Sequence, residues 1–201
     1  MSGRRRSVAL RREEILDATL AVVGREGLAA TRVSDVAAAL GVSSALVFYH
    51  FRTKDALVAA AFAHAAERDL ARLEDVAAGG RDPLDRLQRM LRLYGPTGSA
   101  PGWRIWIDAW ALAQREREIH TVLRRMDQRW CAVLREVVEA GVTEGTFRCA
   151  DPAASVTRIS ALVDGLSVAT LVYRSVTRTQ LRRWVADAVA RELGVDPQVL
   201  V

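Results

Sequence analysis

The sequence predicts an all-α protein of about nine helices, and three observations carry that prediction. Apolar residues recur at three- and four-residue intervals along most of the 201-residue chain, helix caps and stops punctuate the pattern, and no alternating run marks a convincing strand. Half of the residues are apolar, which at this length supplies a sizeable core for one domain or two small ones. No internal repeat and no low-complexity segment interrupts the pattern.

Each element follows from its own signals. Val8, Ile15, Leu16, Ala18, Thr19 and Val22 keep near-helical spacing up to Gly24 and Gly27, which end the first helix. Thr31 precedes RVSDVAAAL, a short second helix stopped at Gly41. GVSSALVFYHF, residues 41–51, joins a turn glycine and two hydroxyls to a dense apolar and aromatic run and forms the third. RTKDALVAAAFAHAAERDLARLEDVAA reads as one long fourth helix with Thr53 as N-cap, ending at Gly79 and Gly80. Asp82 with Pro83 supplies an N-cap and a first-turn proline for a fifth, to about Tyr94. GPTGSAPG is the clearest loop. A sixth helix spans about Trp103 to Ala113, and a seventh spans about Arg117 to Ala140 and stops at Gly141. VTEGTFRCA is a turn, Asp151 and Pro152 cap an eighth helix to about Arg174, and Thr177 with Gln180 makes a capping box for a ninth that ends at Gly194.

Charge and chemistry narrow the function classes. Net charge is +5 and the isoelectric point about 10.0, which favours a polyanionic partner, while 24 acidic residues make the basicity a surplus instead of a tail. Cys131 and Cys149 have no CxxC spacing and no neighbouring histidine, so they read as two reduced cysteines with neither a zinc site nor a disulfide framework. His64 and His120 are isolated, neither GxGxxG nor GxxxxGK[ST] occurs, and no nucleophile–base set is present, so no enzyme, metal or cofactor is expected. The basic N-terminus is followed by acids instead of a signal-type apolar region, and no uninterrupted apolar stretch has the length of a membrane span; a cytoplasmic protein without a membrane partner is expected.

The stretch at residues 41–51 then becomes informative. Val33, Val36, Leu40, Val42 and Val47 fall where two short helices must pack together, Ala37 is small where they cross, and Gly41 sits at the tight turn; this is the pattern of a helix-turn-helix. The same register sends Ser43, Ser44, Ala45, Phe48, Tyr49 and Arg52 outward, where small residues admit base edges and hydroxyls meet phosphates. Arg4, Arg5 and Arg6 form a basic cluster placed as an arm toward a groove or phosphates, or as a solvated start. Lys54, the only lysine in the sequence, opens the fourth helix, where its ammonium and the first amides can hold one phosphate; Thr31 can do the same at the second.

ATRVSDVAAALGVSSALVFYHFRTKDALVAAAF resembles the DNA-binding region of the tetracycline-repressor (TetR) family, which has a threonine, a short helix, Gly-Val-Ser, an aromatic triplet ending in Phe, and then Lys, an acid and Leu. The likeness covers roughly residues 8–62. WRIWIDAWALA, GVTEGTFRCADP and LVDGLSVA are similar, more loosely, to the C-terminal domains of the choline-responsive BetI-like branch. The resemblance implies a homodimeric transcription regulator whose residues 1–52 bind double-stranded operator DNA and whose residues 53–201 bind a small-molecule effector and dimerise. Thr31, Ser43, Ser44, Tyr49 and Lys54 match DNA-contacting positions. Phe48 stands where the family usually has tyrosine, so that hydroxyl is missing and Tyr49 is its partial replacement. His50, often tyrosine in the family, faces the first helices by register and reads as packing.

Such a regulator needs a sensor. Trp103, Trp106, Ile107 and Trp110 lie on one face of the sixth helix, with Asp108 on the same element and Trp130 on the next. They form either bundle core or the wall of an aromatic cage for a cationic ammonium ligand. Asp164 interrupts an apolar helix, and three roles suit it: bonding a ligand, neutralising an arginine, or meeting a second subunit. For the dimer, one stripe is Val156, Ile159, Val163, Leu166 and Thr170 and the other Leu181, Trp184, Val185, Ala188 and Val189, so that helices at about 152–174 and 178–193 form a four-helix bundle across a two-fold axis. Effector entry between helices five to eight would shift the fourth helix and the spacing of the two recognition helices, a coupling of about 1–3 kcal/mol. The rival class is a helical architectural or protein-binding module that binds DNA without sequence preference.

Overall fold

A computed structural model describes residues 2–94 and 101–200, with side chains for 11–93 and 102–200. Among the described residues there are nine α-helices and no strand: α1 (Ser2–Glu26), α2 (Val33–Leu40), α3 (Ser44–Phe51), α4 (Lys54–Ala78), α5 (Pro83–Tyr94), α6 (Pro101–Ala113), α7 (Arg117–Thr143), α8 (Pro152–Leu171) and α9 (Arg178–Leu193), then a 3-10 turn at Pro197–Leu200 that the sequence patterns did not suggest.

Most helix ends obey the signals in the sequence. Gly27 (φ 83°), Gly41 (φ 66°) and Gly194 (φ 64°) take the left-handed conformation just past α1, α2 and α9. Orphan amides at the N-termini find side-chain acceptors: Thr53 takes Ala56 N–H at 3.0 Å, Asp82 takes Asp85 N–H at 2.8 Å and Asp151 takes Ala154 N–H at 3.0 Å. Thr177 and Gln180 complete a reciprocal capping box.

Four expectations about these boundaries are corrected. Gly24 lies inside α1, which runs on to Glu26, so Gly27 alone ends that helix. Gly141 does not stop α7, which runs on to Thr143. The glycine serves packing instead: the Phe147 ring folds back over it, and a Cβ at this position would lie 2.1 Å from Phe147 Cδ2. Of the expected loop at 95–102, Pro101 and Gly102 open α6, and residues 95–100 lie outside the described residues. Finally, α8 ends at Leu171, short of Arg174, which takes φ 54° in the following turn.

The chain divides into two compact units, residues up to 68 with 104–126, and 69–103 with 127 onward, so α4, α6 and α7 each contribute residues to both. The first unit holds two apolar clusters. Ile15, Leu16, Val22, Val36, Val47, Phe51 and Leu57 fill the space among α1, α2, α3 and the start of α4. Val23, Leu28, Phe62 and Ala66 meet Ile105 and Ala109 of α6 and Ile119 and Met126 of α7 in the other. Each large side chain so buried contributes roughly 1.5–3 kcal/mol, so both clusters fix their helices firmly.

The second unit has one larger core, in which Leu70, Leu73, Leu87, Met90, Leu134, Val138 and Phe147 pack with residues of α8 and α9. Here the expected dimer stripes are corrected. Val156, Ile159 and Val163 of α8 and Leu181, Val185 and Val189 of α9 are buried in the chain's own core, and Leu166, Thr170 and Ala188 are half-buried. The large apolar side chains that these helices and the turn between them leave outside are Val172, Tyr173 and Trp184, the last 42% exposed. A charged clamp ties the two helices: Arg158 forks onto both oxygens of Glu192 at 2.7 and 2.6 Å, and Ser155 adds a hydroxyl at 2.8 Å. The Arg158 hydrogen bonds, then the Ser155 hydroxyl, lower the Glu192 carboxyl to about 2. By length and composition α8 is the one helix among the described residues apolar enough to cross a membrane, but six of its residues are buried inside this core.

Candidate functional site

The pair α2–α3 forms the first candidate site. The two eight-residue helices meet at 114°, turned at Gly41, whose left-handed backbone lets Val42 N–H bond Ala37 O at 3.0 Å. Ser43 caps α3 by accepting Leu46 N–H at 3.3 Å. Val33, Val36, Ala37, Val47 and Phe51 are buried, with Leu40 and Val42 half-buried, as the helix-turn-helix register requires. The opposite face of α3 stays outside: Ala45 and Arg52 are exposed, Phe48 is 43% and Tyr49 77% exposed, and Ser44 is half-buried. His50 is half-buried and stacks edge-on against Tyr49, ring centroids 5.4 Å apart.

Arg52 ends α3 in a conformation that side chains rarely adopt. Its φ is 51° and ψ −45°, and Thr53 N–H turns back to Phe51 O around it, which makes Arg52 the centre of a γ-turn of the rare hand. A non-glycine residue held this way stores on the order of 1 kcal/mol or more, and such strain clusters at functional positions. The turn delivers the chain directly to the Thr53 cap of α4.

The linker between α1 and α2 is held from three sides. Thr31 Oγ1 donates to Gly27 O at 2.8 Å, Lys54 Nζ donates to Ala29 O at 2.8 Å, and the carboxylate of Asp108 on α6 accepts Leu28 N–H at 3.1 Å. Thr31 is therefore a correction: its side chain is fully buried and its hydroxyl is engaged inside the fold, so it does not face a phosphate. Lys54 is exposed and keeps two ammonium protons for an outside acceptor. For Arg4, Arg5 and Arg6 the backbone is helical from Ser2, and their side chains lie outside the described residues.

The expected effector set divides between the units. Trp106, Ile107 and Trp110 belong to the first, where Trp106 stands edge-on to Phe62 at 5.2 Å and joins the α4–α6–α7 cluster. Asp108, the carboxylate of the cage alternative, accepts Leu28 N–H through Oδ2. Trp103, Trp130 and Asp164 belong to the second, and both indoles pack partly buried against its core. Asp164 has no arginine partner among the described residues; burial first, then the nearby Asp127 carboxylate, push its carboxyl up to about 7.

Sequence reasoning missed the polar neighbourhood of Asp164. Asp127 and Cys131 on α7, and Ser160 and Asp164 on α8, stand at i, i+4, and Cys131 Sγ meets Ser160 Oγ at 3.6 Å where the two helices pack. Burial raises the Asp127 carboxyl as well, and raises the Cys131 thiol, with both carboxylates adding to the latter. The two i, i+4 polar pairs were the available signal. Chemically, two carboxyls with indoles on the same unit suit a partner that is cationic and weakly hydrated. No group of metal-ligating side chains is present among the described residues.

Comparison with known proteins matches the two stretches of the chain in which these residues lie. The profile described as bacterial regulatory proteins, tetR family, matches residues 15–61, and that described as BetI-type transcriptional repressor, C-terminal, matches residues 83–194. The chain is 30% identical over 165 residues to the HTH-type transcriptional regulator BetI of Burkholderia cenocepacia, spanning 78% of this chain and 80% of that one. Among solved structures, a transcriptional regulator from Saccharomonospora viridis in complex with choline superposes with a TM-score of 0.83 at 26% identity, over 92% of this chain and 98% of that one. A TetR-family transcriptional regulator from Rhodococcus sp. does so with a TM-score of 0.78 at 27% identity, over 91% and 98%.

Proposed function

Because the chain belongs to the tetR family of bacterial regulatory proteins and carries the BetI-type repressor region at its C-terminal end, we propose that it holds a pseudo-palindromic operator shut and that a small organic cation releases it. The chain is a ligand-responsive, DNA-binding transcriptional regulator, in a family of regulators and not of enzymes. The observation that carries the operator reading is the two-faced α3: Val47 and Phe51 anchor it, while Ala45, Phe48, Tyr49 and Arg52 are left to solvent.

In this reading residues 1–52 are the DNA-binding segment and 53–201 the effector-binding and dimerising segment, acting in the cytoplasm where the DNA is. Ser43, Ser44 and Tyr49 supply hydroxyls, Ala45 and Phe48 an apolar surface for thymine methyls, and Arg52 and Lys54 the phosphate charge, with Arg4, Arg5 and Arg6 adding to it. Two copies pair through α8 and α9, which would cover Val172, Tyr173 and Trp184 and set two recognition helices about one DNA turn apart. The cation is read from Asp127 and Asp164 with Trp103 and Trp130, and the choline complex of the Saccharomonospora viridis relative supports that class. Trp106, Ile107 and Trp110 would act as packing that transmits the response.

The test is a fluorescence-anisotropy titration against DNA upstream of the protein's own gene, with competitor DNA and at near-physiological salt. One short palindrome bound by two subunits, and released by choline chloride, is the expected result. Equal affinity for every fragment would instead support the architectural module.

A further inference from the structure

The linker Gly27–Arg32 carries the orientation of α2 and α3, yet two of its backbone groups, Leu28 N–H and Ala29 O, bond outward, to α6 and α4. Resting on the operator reading above, we infer that Asp108 is a positioning residue for operator binding: its carboxylate on α6 fixes the Leu28 amide and with it the α1–α2 linker that aims the recognition helix.

Three observations converge on this residue. Asp108 Oδ2 accepts Leu28 N–H at 3.1 Å, and the Leu28 side chain is fully buried in the cluster that also holds Ile105 and Ala109 of α6, so α6 contributes both to the bond on the Leu28 backbone and to the core that buries its side chain. Gly27 adopts φ 83°, and a Cβ there would come within 3.0 Å of the same Asp108 oxygen; glycine is required both for the turn and for the carboxylate's approach. Asp108 also lies within the stretch 83–194 matched by the BetI-type region, whereas the linker lies within 15–61. One hydrogen bond thus runs from a residue of the effector-binding segment to the backbone of the DNA-binding segment. A small displacement of α6 lengthens that bond, frees the Leu28 amide and loosens the aim of α2–α3, with no contact on the DNA face altered.

The experiment compares Asp108→Ala and Asp108→Asn with the wild type, using the site that the wild-type protein itself selects from a random DNA pool. Losing the bond should weaken operator affinity about tenfold in the alanine variant. The dependence of affinity on salt should stay unchanged, because no phosphate contact is lost. Hydrogen exchange at residues 27–31 should quicken, while the dimer remains intact. Asparagine, whose amide oxygen can still accept Leu28 N–H, should restore affinity to within about threefold of wild type. Wild-type affinity in the alanine variant overturns the inference, and so does a loss in both variants that simply tracks a fallen thermal midpoint. A wild-type protein that selects no site defeats the operator reading itself, a result distinct from either.

Discussion

The indole of Trp106 stands edge-on to the ring of Phe62, centroids 5.2 Å apart and planes at 83°. Phe62 is fully buried and Trp106 packs onto the same cluster, so the pair clamps α6 to α4 within the first unit. Trp106→Ala should cost about 2–4 kcal/mol of stability, from lost area, a cavity and the lost ring pair. Trp106→Phe should recover more than half of it. Equilibrium urea unfolding measures both, and an alanine variant as stable as wild type would return Trp106 to the wall of a cage.

Arg52 combines an unfavourable backbone with a useful charge, and the two separate by substitution. Arg52→Gly should stabilise the fold by about 0.5–1 kcal/mol by relieving the γ-turn at φ 51°. The same change should weaken operator binding several-fold and lower the slope of log affinity against log salt by about one unit. Thermal unfolding and a salt series of binding titrations read the two effects independently. Loss of stability in the glycine variant would mean that the arginine side chain, and not the turn, holds this corner.

For Asp164 the prediction concerns pH. Its carboxyl sits at about 7 in the folded chain against 3.8 ordinarily, through burial and then Asp127. With the folded value above the unfolded one, the favourable contribution is complete below about pH 4 and is lost as the pH climbs to about 7. Above that range the fold holds a half-buried carboxylate close to a second one, Asp127. Wild-type stability should therefore fall from pH 5 to pH 8, Asp164→Asn should flatten this fall, and the variant should be more stable at pH 8 by about 1–2 kcal/mol. Thermal midpoints at four pH values suffice, and equal slopes for the two proteins would refute the assignment.

Gly141 offers a packing test. A Cβ at this position collides with Phe147 at 2.1 Å inside a continuous helix, so Gly141→Ala should destabilise by about 1–3 kcal/mol although alanine is the better helix former. The double variant Gly141→Ala with Phe147→Leu should be less than additive, since the shorter side chain vacates the contact.

The helices were legible in the sequence because their ends are encoded locally. Thr53, Asp82, Asp151 and the Thr177–Gln180 box lie within three residues of the amides they satisfy, and Gly41 needs only its own left-handed backbone. What depended on distant residues was not legible. Gly141 looked like a helix stop because nothing nearby in the sequence announces that Phe147 returns to lie on it. Thr31 looked like a phosphate ligand because hydroxyl chemistry is the same inside and outside a fold; only its burial assigns the Oγ1 to Gly27 O. The stripes of α8 and α9 were apolar for a real reason, but periodicity cannot say whether a core lies within the chain or across an axis. The partnership of Asp108 with Leu28, between residues remote in sequence, had no local signal at all.

The contact between Lys54 and Ala29 has a practical side that follows from amino-acid usage. Every other cationic side chain among the chain's 29 lysines and arginines is a guanidinium, so a reagent aimed at lysine amines meets a single side chain, and that one lies at the mouth of α4. Acetylating it removes the charge and leaves one amide N–H for Ala29 O, whereas dimethylating it keeps the charge and likewise leaves one N–H donor. The two adducts, made on the unmutated protein, therefore differ in charge at equal donor number, so a difference between them in DNA affinity reads Coulomb attraction apart from mechanical support of the loop, and protection of that amine by bound DNA gives a footprint one atom wide.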